Sequence, residues 1–204
     1  MIENTGKTKS QKSAQYQIGL MIVIMIMVML SGFLLVPSND EQRQRMLSLL
    51  GTTNHGSLIS PALSLDSIVD MAESFSERKW RVLIAGGEGC DAACEQVLLD
   101  TKSVHMLLGK STGRVQRVFM PSSTSMDAKR TLALQAEHPF LDIVPTDLKP
   151  LQQLFVNSST AWNMDSTRAV ILTPDNVAIL YYSDEHNAAG LLDDLKHLLK
   201  YSAQ

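Results

Sequence analysis

Two cysteines are all that this chain of 204 residues contains, Cys90 and Cys94. No second pair exists, so any disulfide, thiol or soft-metal chemistry falls on this one. Other absences narrow the function further. The glycine run Gly86-Gly87-Glu88-Gly89 lacks the Gly-Lys-Ser/Thr ending of a phosphate loop and the spacing of a dinucleotide fingerprint. The Ser122-Ser123-Thr124-Ser125 patch has no histidine or acid beside it in sequence to mark a nucleophile. There is no internal repeat and no long charge block, and a net charge of -3 gives no reason to expect nucleic acid binding.

Charge is missing altogether from Ile18 to Val36. At about 1.5 Å per helical residue, that run is long enough to cross a hydrocarbon core. The sequence therefore predicts one transmembrane helix over 18–36. Lys7, Lys9 and Lys12 precede it, so the positive-inside bias places residues 1–17 in the cytoplasm and exports the remainder, against a weaker contrary vote from Arg43 and Arg45. The apolar run exceeds a signal-peptide core and no small-x-small cleavage site follows it. Phe33 stands where a lipoprotein signal would need a cysteine. The expected location is a bacterial inner membrane, single-pass, with the C-terminal part in the periplasm. Residues 37–56 are polar and turn-rich and read as a linker. That leaves 57–204 as one exported domain with room for a real core.

The stretch Trp80 to Cys94, WRVLIAGGEGCDAAC, organises that domain. A β-forming run, Val82-Leu83-Ile84, meets the glycine loop and then the two thiols at the head of a helical pattern. Residues four apart on a helix share a face at roughly 6 Å between Cα atoms, within the reach of a disulfide. A helix N-terminus also favours thiolate over thiol. The pair could cycle between disulfide and dithiol, hold a soft metal ion, or form a permanent structural bond in an oxidising compartment. A bridge across one turn closes a very small loop and stabilises little.

Around this block the pattern alternates. A strand at Trp80–Ala85 is followed by a helix from Asp91 to Leu108, a strand from Arg114 to Met120 and a helix from Met126 to Glu137. A short helix is expected from Asp147 to Phe155. A hairpin pairs 168–172 with 177–182 across Thr173-Pro174-Asp175-Asn176, and an amphipathic helix closes the chain from Ala188 to Tyr201. This order fits an α/β thioredoxin-like domain preceded by one N-terminal transmembrane helix.

The Cys90-Asp91-Ala92-Ala93-Cys94-Glu95-Gln96 block after a strand, its glycine-rich approach and the single anchor resemble the SCO/SenC family of thioredoxin-like proteins. Asn54-His55-Gly56, Leu107-Leu108-Gly109-Lys110 and Asp194-Leu195-Lys196 bring the chain closer to the small membrane-anchored SCO-related proteins of cytochrome oxidase gene clusters. The resemblance implies an assembly factor for respiratory cytochrome c oxidase. It would act through Cys90 and Cys94, either by thiol–disulfide oxidoreductase chemistry or by delivering Cu(I). An oxidase subunit, or other copper and thiol assembly factors, would be the partner. A non-catalytic scaffold that binds an oxidase subunit is the alternative.

Two departures bear on the chemistry. SCO copper chaperones add a histidine just before the late hairpin, and Thr160 to Ser166 contains none. Two thiolates can still hold Cu(I), and Met164 is a soft thioether that could complete the metal site. No proline precedes Arg168, where thioredoxins carry the proline that shapes their substrate groove. His105 is expected on a helix surface or boundary, His138 at a helix end, and His55, His186 and His197 in loops or on solvent faces. The methionines between Leu20 and Leu30 read as a lipid-facing run.

Overall fold

The computed structural model describes residues 6–35, 54–69, 75, 77–87, 89–124 and 126–202. Two units emerge, Met1–Thr52 and Thr53–Gln204. In the first, helix α1 spans Gly6–Leu35. Its described side chains, 16–31, are all exposed, and Ile18, Ile22, Met25 and Met29 are among them. Val36 lies outside the described residues. Among the described residues no helix is long and apolar enough to cross a membrane, so the span expected at 18–36 rests on the sequence.

The second unit is built on one six-stranded sheet. Its elements are β1 (Ser57–Ser64), α2 (Asp66–Val69), β2 (Trp80–Ala85), α3 (Ala92–Leu107), a 3-10 turn (Gly109–Arg114), β3 (Val115–Met120), α4 (Ala128–Glu137), β4 (Leu141–Ile143), α5 (Leu148–Val156), β5 (Arg168–Leu172), β6 (Val177–Tyr182) and α6 (Ala188–Tyr201). The strand order is β1-β6-β5-β2-β3-β4. β2 runs parallel to β3 and β3 to β4, while β5 lies antiparallel to β2 and β6, and β6 antiparallel to β1.

All six residues of β2 are buried, and its apolar side chains enter opposite core layers in turn, while Arg81 is buried by hydrogen bonding to Gln116, Asn176 and the Phe75 carbonyl. Trp80, Val82 and Ile84 pack with Cys94 and Leu98 of α3, Leu134 of α4, and Leu191, Leu195 and Leu199 of α6. Leu83 and Ala85 face the other way, into Leu151 and Phe155 of α5, Trp162, and Ile59 and Leu63 of β1. Each large aliphatic side chain so buried contributes about 1.5–3 kcal/mol of hydrophobic stabilisation.

The strand at 80–85, the hairpin and the closing helix stand where the sequence places them, and the helices expected from 91, 126 and 147 begin one or two residues later. Sequence patterning missed β1 and β4. β1 carries Pro61 and three serines, and its pairing with β6 shifts register between Leu58 and Leu63; proline is tolerated at such an edge. β4 has three residues, too few to show a period.

Candidate functional site

β2 ends in a loop that only glycine can form. Gly86 and Gly87 adopt φ of +95° and +74°, a region closed to most L residues. A Cβ on Gly86 would run into the Ser166 carbonyl and lie 2.7 Å from Cζ2 of Trp162. The loop is pinned from that side: the Gly87 N–H donates to the Met164 carbonyl (2.9 Å), and the Thr167 hydroxyl donates to the Gly86 carbonyl (3.2 Å).

The chain then turns into α3. Asp91 is its N-cap, and its carboxylate accepts the Cys94 N–H at 2.9 Å. Capping fixes the first turn and satisfies a donor that would otherwise be orphaned. Cys90 and Cys94 are joined as a disulfide, with Cα atoms 5.1 Å apart. The two sulfurs sit in unequal surroundings. Cys94 is 0 % exposed among Leu98, Val82 and Ile84, whereas Cys90 is partly exposed at the edge of that layer.

One cavity opens on the bridge at Cys90 and a second on the neighbouring residues Gly87 and Asp91. The first, of about 420 Å³, is lined by Cys90, Thr124, Met126, Asp127 and Arg130. Arg130 spans from α4 to the start of α3, donating to Glu95 at 2.6 Å and, at 3.5 Å, to the Cys90 carbonyl. This ion pair is half exposed and adds only a few tenths of a kcal/mol, up to about 1, to stability. The other cavity, about 410 Å³, runs from Gly87 and Asp91 to Thr167 and His186 and carries Asp100, Asp165 and Asp184 on its walls.

Of the residues singled out from sequence, the structure brings Cys90 and Cys94 together. Met164 reaches the glycine loop through its backbone, but its side chain is 8 % exposed and packs with Trp162 in the core layer on the opposite face of the sheet from Cys94. Among the described residues no three His, Cys, Asp or Glu side chains group so as to hold a metal ion. The two clustered sulfurs suit a soft ion once reduced, and no imidazole joins them.

Three of the histidines, His105, His138 and His186, belong to the packing of the fold. His105 is buried, further in than the helix surface or boundary expected from sequence, and its Nε2–H donates to the Val115 carbonyl at 2.9 Å across the α3–β3 layer. His138 does cap the end of α4, but it is 3 % exposed and its Nδ1 has no partner. His186 is also more than a loop residue: it bridges Ser57 of β1 and Ser183 after β6. Arg117, buried on β3, donates to the Leu98 carbonyl and the Thr101 hydroxyl, and burial pulls its guanidinium down to about 10.

Burial, then the nearby Arg117 charge, holds His138 below its usual value of 6.5; burial likewise lowers His105. The unfolded chain takes up protons near pH 6.5 that the folded chain refuses, so stability from this source is full above that value and declines as pH falls below it. The thermal midpoint should drop between about pH 7 and pH 5. His138→Leu should flatten that decline, and an unchanged slope would refute the assignment.

Residues 80–202 match the family model described as the transmembrane-like, thioredoxin-like, C-terminal domain. The chain belongs to that family. No curated protein matches this family member. Among solved structures, it is similar to the apo Sco1 protein from Thermus thermophilus at 19% identity, covering 72% of this chain and 97% of that one, with a TM-score of 0.51. It is also similar to yeast Sco1 with copper bound, at 12% identity, 75% and 97% coverage and a TM-score of 0.50. At such identities the likeness shows a shared thioredoxin-like fold.

Proposed function

We propose that this chain is a membrane-anchored assembly factor for respiratory cytochrome c oxidase, handing over Cu(I) after the Cys90–Cys94 bridge has been opened by a dithiol. The observation that carries the reading is the unequal burial of the two sulfurs at the head of α3, on a fold shared with a copper-bound Sco1. An attacking thiolate can reach Cys90 but not Cys94. It bonds to the Cys90 sulfur, the S–S bond breaks, and Cys94 leaves with the electron pair and takes up a proton. A second thiol of the reductant then displaces Cys90. The reductant's two sulfurs end as a disulfide, and Cys90 and Cys94 hold the two electrons and two protons. Copper is the cargo; the two thiols lose those protons to solvent as their thiolates bind it. The apolar segment 18–36 is the proposed anchor, with 1–17 cytoplasmic, 37–56 a linker and 57–204 exported to the periplasm.

The closed bridge favours a second reading, exchange with oxidase-subunit cysteines without metal. Serine at both positions tests the thiol role common to both readings. In the native cell we expect assembled, active oxidase to fall severalfold or more; intact assembly would leave only a scaffold role. Copper stoichiometry and the reduction potential of the bridge then separate the two thiol chemistries.

A further inference from the structure

We propose that Met126 supplies the third sulfur for Cu(I) at the Cys90/Cys94 pair; this inference rests on the copper reading above. Cys90 is the sulfur that opens outward, and it opens into the cavity of about 420 Å³ whose wall includes Met126. Met126 and Cys90 are both partly buried against the core layer that holds Cys94. The three sulfur-bearing residues therefore belong to one side of the sheet. Met164, the thioether that sequence order favours, belongs to the other side.

The other residues lining the cavity are already engaged. The Asp127 carboxylate accepts the Arg130 backbone N–H at 2.7 Å as the N-cap of α4. The Arg130 guanidinium is paired with Glu95, and a cation repels a metal ion in any case. Thr124 shares a hydrogen bond with Ser122. Met126 is left as an uncharged, polarisable donor beside Cys90, and thioether with thiolate is the ligand softness that selects Cu(I). Two thiolates with one thioether would give a three-sulfur site without the imidazole that suits Cu(II). Copper stays Cu(I) throughout, so no electron moves when it binds; the two thiols lose their protons and three Cu–S bonds form.

The test uses the full chain in detergent micelles, reduced by a dithiol, freed of it and kept anaerobic. Cu(I) is titrated against a chromophoric chelator, and copper-edge X-ray absorption counts the sulfurs. Wild type should bind one Cu(I) with three sulfur neighbours. Met126→Leu, which keeps the volume, should bind about tenfold or more weakly with two sulfurs, and its thermal midpoint should be unchanged. Met164→Leu should alter neither readout. Wild-type affinity and sulfur count in Met126→Leu, with binding still lost in Cys90→Ser, would overturn the Met126 assignment and leave the copper reading standing. Loss in Met164→Leu instead would overturn it as well. No Cu(I) bound by wild type would overturn both.

Discussion

Asp194→Ala is expected to lower the stability of the 53–204 unit by about 5 kcal/mol, which on this size of chain is a fall of roughly 10–20 °C in thermal midpoint. The Asp194 carboxylate on α6 is buried and accepts hydrogen bonds from the His55 N–H (2.9 Å), the Gly56 N–H (2.9 Å) and the Tyr182 hydroxyl (2.6 Å). Alanine would leave the Gly56 N–H and the Tyr182 hydroxyl unpaired where water has little access, and the His55 N–H unpaired at a partly buried position. Each unmet buried donor costs about 1–3 kcal/mol, more than the bond itself gains. Burial, and then the bond to Asp194, raises the Tyr182 phenol well above its ordinary value, so it stays a donor at any working pH. Tyr182→Phe should cost only about 1–2 kcal/mol, because the carboxylate keeps its two backbone partners. Denaturant unfolding of both variants checks the ranking; equal costs would mean that the backbone donors find other acceptors.

The second large effect is at the loop before the cysteines. Gly86→Ala should destabilise by about 4 kcal/mol, from about 1–3 for a side chain forced into that φ and about 1–3 for overpacking against a backbone carbonyl and an indole. The obstacle is rigid. Ser166 is held through its carbonyl by the Trp162 indole N–H at 3.0 Å, and Trp162 packs edge-on to Phe155 at 5.2 Å. Gly89 also has positive φ, +69°, but a Cβ there meets nothing within 4 Å, so Gly89→Ala should cost only about 1–2 kcal/mol. Comparing the two by urea unfolding separates backbone strain from collision. Similar midpoints would show that loop 160–167 yields to the methyl group.

How much of this was legible beforehand depends on the range of the interaction. The buried run at 82–84, the helix capped by Asp91, the hairpin around Thr173–Asn176 and the leucine period of α6 are local patterns. Hydrophobic periodicity, caps and turn residues write such elements into a few consecutive positions. The pairing of Cys90 with Cys94 is local too: Cys90 stands just before the Asp91 cap and Cys94 in the first turn of α3, not on one helical turn with it, so only the turn into the helix has to close.

Contacts between distant segments carry no such period. Asp194 meets His55 across 139 residues and Gly56 across 138, and β1 gains its strand character by pairing with β6. Nothing in Arg168-Ala169-Val170 or its preceding loop reveals that Met164 turns into the layer behind the sheet, while Met126 arrives beside Cys90 from the chain after β3. The sequence by itself determined an apolar N-terminal segment, an alternating α/β domain and one dithiol at a helix head, since each follows from neighbouring residues. That Cys90 is the outer sulfur follows from its place before the helix start; only tertiary structure decided which methionine stands beside it and which carboxylate ties the segment before β1 to the last helix, because each of these depends on which layer of the packed sheet a side chain enters.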